Sequence, residues 1–287
     1  MQEYYFLFGL ALVWICFAVV QDWRTREISN WLNFSLLAFA LTYKGFYALL
    51  FNRFDFFLLG VGGALFFTAL AYVLYYGKAF AGGDAKLLTA LGAVLPFRNT
   101  GDYLTLGIGF VFVLFLVGAV YSLIYSLVIV AKQPKKFVNF FKKELKSYNL
   151  LIWVSLAVLI FLFIVLNIFM KSGFGLIIIA LFILPFLYAY ARAFEKACMI
   201  KLVSPGQLTE GDWLEKDVHL SRSVISRSVH GLNSRDIDLL KKARKKVWIK
   251  EGIPFSPAFL LAFIIMVYVS LSSGAMMKVF EAFFYLG

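Results

Sequence analysis

Long apolar stretches alternate with short polar ones along most of this chain. The apolar runs cover roughly 4–21, 30–51, 56–76, 84–96, 103–131, 149–170, 173–191 and 254–273. Seven of them approach or exceed the ~20 residues that an α-helix needs to cross a bilayer. The run 84–96 is too short for that and predicts a half-helix, or an oblique span that continues through Pro96. The run 103–131 is long and predicts a tilted or projecting helix. Between 192 and 253 the pattern turns polar, with Ser204-Pro205-Gly206 as a turn signal. Within it, Leu232–Val247 reads as a helix. Asn233 or Ser234 would cap it, Asp236 and Asp238 fall early, and lysines and an arginine fall late, as the helix dipole favours.

The predicted fold class is an all-α polytopic membrane protein, with about six to eight transmembrane helices and a small cytoplasmic soluble segment. The expected organisation is 1–131 as N-terminal membrane helices, 132–148 as a basic cytoplasmic loop and 149–191 as further membrane helices. A cytoplasmic basic segment (192–253) and a C-terminal membrane helix with tail (254–287) follow. Composition agrees. The chain is 62% hydrophobic and only 15% charged, against roughly 25% charged residues in a soluble domain. No cleavable leader is expected, because the first apolar run lacks a basic stretch before it.

Charge sets the expected orientation. Twenty-three lysines and arginines fall in 22–29, 77–86, 132–148 and 192–253, against four (Arg53, Arg98, Lys171 and Lys278) in the alternate loops, and Lys44 lies inside a run. The basic side is therefore expected to be cytoplasmic and the N-terminus outside. The net charge of +12 follows from that bias and from attraction to anionic lipid, not from nucleic-acid binding. Cys16 and Cys198 read as free thiols, and His219 and His230 as surface residues, so no metal or cofactor is expected. Trp23 and Trp31 fit an interfacial aromatic belt.

Two acids carry the candidate chemistry. Asp22 and Asp84 each stand where an apolar run meets a short basic loop, and the charge count puts both at the same membrane face. An acid at the edge of a membrane span is costly and usually functional. A low-dielectric edge disfavours the ionised form of a carboxyl, and a second carboxylate nearby disfavours it further. Such a pair can activate a water and supply a proton. Gly82 and Gly83 bare the backbone beside Asp84, which suits close approach of an extended substrate. Lys86 is placed to grip a substrate, or to snorkel to headgroups. Each feature also has an ordinary structural reading: Asp84 as a helix cap, Asp22 as a partner of Arg24 or Arg26, and Pro254 and Pro257 as first-turn prolines.

Three stretches together resemble archaeal type IV prepilin or preflagellin (archaellin) peptidases of the GxGD aspartic protease group. They are Asp22-Trp23-Arg24-Thr25-Arg26-Glu27-Ile28-Ser29-Asn30, Gly82-Gly83-Asp84-Ala85-Lys86-Leu87-Leu88, and Glu251-Gly252-Ile253-Pro254-Phe255-Ser256-Pro257-Ala258. Gly211-Asp212-Trp213 is similar to the soluble part of some archaeal members. The resemblance implies an aspartic endopeptidase with Asp22 and Asp84 as its catalytic pair. It implies a membrane-anchored precursor with a class III signal peptide as substrate, cut at the cytoplasmic face. Ala81 stands where the strict motif has Gly, and Ser29 where the family often has Pro. The cysteine-rich zinc segment of bacterial relatives is missing, so their N-methylation activity is not implied. The alternatives weighed are a proton-coupled transporter that uses the same two aspartates and a non-catalytic assembly factor.

Overall fold

The computed structural model of the protein describes residues 2–169, 175–220, 223–228 and 231–272. Lys171, His230 and Lys278, together with positions 170, 173 and 273 at the ends of three expected apolar runs, lie outside the described residues. The described residues form two compact units, one of residues 2–123 with 253–272 and one of residues 124–252.

The first unit is a helical bundle. It contains α1 (Tyr5–Thr25), α2 (Asn30–Phe51), α3 (Phe54–Tyr76), α4 (Gly82–Val94), the first part of α5 (Ile108–Lys132) and α10 (Ser256–Leu271). Among the described residues, α1, α2, α3 and the stretch Tyr103–Lys132 are long and apolar enough to cross a membrane; α10 is apolar but shorter. The helical, polytopic architecture is as the hydrophobic pattern reads. Large apolar side chains such as Phe17, Phe39, Leu50, Leu65, Val73 and Leu116 are exposed on the outer faces of the bundle. A water-soluble protein does not carry so much apolar surface, and in hydrocarbon it needs no cover.

Short turns join the first helices. Arg26 and Asn52 adopt left-handed backbone at the ends of α1 and α2, and their N–H groups return to the carbonyls of Asp22 and Ala48. Ser29 precedes α2, and its N–H and Oγ–H both donate to Gln21 Oε1 (3.1 and 2.6 Å), which fixes the α1–α2 turn.

The short run 84–96 becomes α4, thirteen residues long and apolar on nearly every side. At 1.5 Å per residue it reaches ~20 Å, too short to span a bilayer. It lies against α2 and α3, with a further contact to α1. Leu87, Leu88, Leu91, Ala93 and Val94 are all buried. Contact with α3 is backbone to backbone. A Cβ on Gly63 would stand 2.3 Å from the Gly92 carbonyl oxygen, and one on Gly92 would stand 2.5 Å from that of Gly63. Without a hydrophobic drive between helices in lipid, small residues at such crossings give the close packing that holds them. Beyond α4, the Tyr4 hydroxyl donates to the Phe97 carbonyl (2.9 Å), closing that end of the bundle.

Lys44, midway along α2, is fully buried. Its Nζ has no hydrogen-bond partner among the described residues. It lies 5.1 Å from the Tyr4 ring centroid and 4.8 Å from that of Phe56. The absent side chain of Gly60 gives the lysine stem its room, since a Cβ there would be 2.5 Å from Lys44 Cδ.

The second unit joins membrane-type helices to a small mixed domain. The stretch 134–147, expected as a loop, is helix α6 (Pro134–Ser147), which starts on a proline as first turns allow. Its pattern explains the difference. Phe137, Phe140, Phe141, Glu144 and Leu145 recur at helical spacing on the covered face, while Lys135, Lys136, Lys142, Lys143 and Lys146 are exposed. α7 (Asn149–Phe169) and α8 (Gly175–Phe194) follow. α6 packs on α8, with the Phe137 ring 5.3 Å from Tyr190 and the buried Glu144 2.7 Å from Lys196 Nζ.

Between α8 and α10 the described residues include five short strands and the helix α9. Antiparallel β1 (Ile200–Val203) and β2 (Trp213–Leu214) flank β5 (Val247–Lys250), while β3 (Val218–His219) pairs with β4 (Val224–Ile225). These strands qualify the all-α expectation for this segment. The expected helix 232–247 is shorter: α9 covers Ser234–Lys242, capped by Asn233, which accepts from the Asp236 N–H (2.8 Å). Arg244 then takes left-handed backbone, and Val247-Trp248-Ile249 continue as strand. Ile237, Leu240, Val247 and Ile249 share one small core with Leu208 and Leu214. Lys250 pairs with Glu195 and with Glu215 (3.3 Å). Although burial opposes it, the Lys250 ammonium with Arg192 holds the Glu195 carboxyl below its ordinary range. Cys16 and Cys198 are free thiols, and His219 is exposed.

Two substitutions test the packing of the bundle. Gly92→Leu is expected to lower the thermal midpoint of the detergent-solubilised protein, since overpacking costs about 1–3 kcal/mol or more. Lys44→Met, which removes an unpartnered buried amine at similar volume, is expected to leave the midpoint unchanged or raise it. A fall as large as that of Gly92→Leu would mean that the amine has a stabilising partner.

Candidate active site

Both aspartates are buried at one end of the bundle: Asp22 is 6% exposed and Asp84 8%. Asp22 does not sit in a loop as expected. α1 continues to Thr25, so Asp22 projects from its last turn. Asp84 occupies the first turn of α4, three residues past Ala81. α1 touches α4, and the two carboxylates lie within electrostatic reach of each other. Residues 62 positions apart in the sequence thus share one apolar environment.

Their hydrogen bonds differ. Asp22 Oδ2 accepts from the Ser256 N–H (3.0 Å) and the Ser256 Oγ–H (2.7 Å). Asp84 Oδ2 accepts one longer bond, from the Ala81 N–H (3.4 Å). The second is half of a capping box, because Ala81 has no acceptor to return. The capping reading of Asp84 is therefore met only weakly. The partner of Asp22 is a serine on α10 rather than an arginine of the neighbouring turn.

The glycines beside Asp84 behave differently from each other. Gly82 and Gly83 form the first helical turn of α4, so the extended backbone lies just before them, at Ala81 (φ −74°, ψ 164°). A Cβ on Gly82 would approach only Tyr75, at 3.8 Å, whereas one on Gly83 would meet Ile28 at 3.1 Å. The Gly83 carbonyl accepts from Asn33 Nδ2 (3.3 Å). Lys86 is exposed, and its Nζ donates to Asn30 Oδ1 (2.6 Å), so it bridges the starts of α4 and α2.

An aromatic wall closes the site on the α10 side. Phe80 is buried with its ring 5.5–5.7 Å from those of Phe115, Phe255 and Phe259. Pro257 stands in the first turn of α10, as expected of one of the two prolines. Among the described residues, no group of three or more His, Cys, Asp or Glu side chains is placed to hold a metal ion.

Sequence reasoning missed Ser256 and Asn33. Ser256 lies within a stretch singled out above, yet nothing in its spacing ties it to Asp22, 234 residues away. Asn33 is fully buried, and its Oδ1 has no partner among the described residues. It sits one helical turn after Asn30, with no sequence signal of its own.

Comparison with known proteins fits this geometry. Residues 9–127, which carry both aspartates, match the type IV leader peptidase family. The chain is also 28% identical over 90 residues to a preflagellin peptidase of Methanococcus maripaludis. That alignment spans 31% of this chain and 39% of the relative. No solved structure matches. The resemblance read from the motifs is thereby borne out over the N-terminal bundle; the stretches near 211 and 251–258 lie outside the matched segment.

The two glycines give a test of the site's packing. Gly82→Ala is expected to keep or raise thermal stability, since Ala gains roughly 0.5–1 kcal/mol over Gly in a helix. Gly83→Val is expected to lower it by about 1–3 kcal/mol through its collision with Ile28. Equal midpoints for both variants would contradict the close approach of α4 to the α1–α2 turn.

Proposed function

We propose that the protein is a membrane aspartic endopeptidase that removes the short basic leader of precursors with class III signal peptides. Type IV prepilins and preflagellins are the substrate class. The observation that carries this reading is the burial of Asp22 and Asp84 together, from separate helices, inside the segment that matches the leader peptidase family.

The chemistry follows from the pair. One carboxylate removes a proton from water as its oxygen attacks the scissile carbonyl. The other, protonated, donates to the carbonyl oxygen. The low-dielectric surroundings strengthen both interactions. Gly82, Gly83 and the extended Ala81 are the proposed track for the substrate backbone, with Lys86 at its edge. The charge bias supports a cytoplasmic position for the site and for the basic loops, with the N-terminus outside. A precursor held by its own hydrophobic helix would then present its leader junction at the membrane surface. Exposed lysines on α6 suit anionic headgroups.

The test is a cleavage assay on a precursor with a short basic leader and a hydrophobic helix, using membrane-embedded protein. The wild-type protein is expected to release the leader. Asp22→Asn and Asp84→Asn are each expected to lower turnover by at least roughly 10³-fold, as loss of an essential acid or base does, while both keep their thermal midpoints. Near-normal turnover by either variant would refute the paired mechanism.

A further inference from the structure

The two carboxylates are not equivalent, and the inequality comes from Ser256. Asp22 Oδ2 accepts two hydrogen bonds from that residue, one from the backbone and one from the hydroxyl. Ser256 is the first residue of α10 and is fully buried. Its N–H is one of the donors that a helix leaves unpaired at its start, and the following Pro257 has no N–H to add. Phe255, at the cap position, offers no side-chain acceptor. Asp22 therefore caps α10 from another helix, with its charge at the end of the helix that favours anions. An oxygen that accepts two donors carries no proton. Asp22 Oδ1 accepts no hydrogen bond among the described residues, which leaves it free to take one.

Asp84 has the opposite surroundings. It is buried, and among the described residues it receives only the 3.4 Å contact from Ala81. Where two carboxylates exchange one proton, the member with fewer donors holds it.

We propose that Ser256 is a positioning residue that holds Asp22 as the ionised base of the pair, which leaves Asp84 as the proton donor. This rests on the peptidase reading for its kinetic arm and on the geometry alone for its spectroscopic arm. In the reaction, Asp22 Oδ1 takes a proton from water while the water oxygen bonds to the scissile carbon. Asp84 gives its proton to the carbonyl oxygen. When the C–N bond breaks, Asp22 returns a proton to the leaving amine, and Asp84 recovers one from the tetrahedral hydroxyl. No proton is gained or lost beyond those of the water consumed.

The experiment compares the full-length protein with Ser256→Ala, Ser256→Cys and Ser256→Thr, each checked first for its thermal midpoint. Loss of a bond to a charged acceptor is expected to lower kcat about tenfold in Ser256→Ala with little change in KM. Ser256→Cys, a weaker donor, should fall between, and Ser256→Thr should recover most of the loss. Infrared difference spectra without substrate supply the second arm. The carboxylate band missing from Asp22→Asn should change frequency in Ser256→Ala, because one of its two donors is gone. The protonated carboxyl band should be the one missing from Asp84→Asn. An Asp22 band of identical frequency in wild type and Ser256→Ala, or a protonated band assigned to Asp22, would overturn the proposal. If the wild type cleaves no precursor, the function reading fails, and the infrared arm still decides the role of Ser256.

Discussion

The contact between Gly63 and Gly92 is the constraint on which the rest of the N-terminal bundle depends. It brings the backbones of α3 and α4 together without side chains between them. A thirteen-residue helix cannot reach both faces of a bilayer, so α4 has to be enclosed by longer helices. Enclosure at close range is possible only where small residues meet. Gly92 stands in the last turn of α4, so the contact fixes that end of the helix, while α4 also touches α1. Had α4 been long enough to stand as an ordinary lipid-facing span, its first turn would not be pressed into the bundle interior.

Burying two carboxylates is expensive unless their acceptors find donors. The bundle meets this need unevenly. Asp22 is satisfied by the start of α10, whereas Asp84 has one long contact. Asn33 contributes its amide to the Gly83 carbonyl and keeps its own Oδ1 unsatisfied. Polar capacity is therefore left over beside the first turn of α4. Lys44 makes an instructive contrast. It too is buried without a hydrogen-bond partner, but two aromatic faces and the vacancy at Gly60 enclose it. Aromatic rings can receive an ammonium; they offer nothing to a carboxylate.

Much of the helical scaffold was legible in the sequence, because in a membrane a run of apolar residues is both the signal for a helix and the reason it is stable. The length of the run 84–96 already marked α4 as unlike its neighbours. The cap at Asn233 was legible too, because it depends on a local pattern. Elsewhere the reading stopped short for identifiable reasons. The lysines of 132–148 suggested a loop and hid the helical spacing of Phe137, Phe141 and Glu144. The strands β1 and β5 are only four residues each and pair across more than forty residues, so nothing local announces them. α9 ends early because Val247 and Ile249 are needed by the sheet. For the site, the two acids stood out because acids are rare beside spans. Ser256 and Asn33 did not, since serine and asparagine are common at helix starts and their roles exist only after tertiary packing.

The dependence of Asp22 on Ser256 bears on what the family match covers. The matched segment ends at residue 127 and holds both acids, α4 and the helices around it. It does not hold the donors to Asp22, the Phe255 and Phe259 rings against Phe80, or any part of α10. Within the N-terminal segment alone, Asp22 Oδ2 would lose both of its hydrogen bonds. The two carboxyls would then lose the difference in hydrogen bonding on which the proposed roles of base and acid rest. The acids are thus encoded in one stretch of the chain, and their inequality in another, which becomes part of the site only when α10 packs against α1.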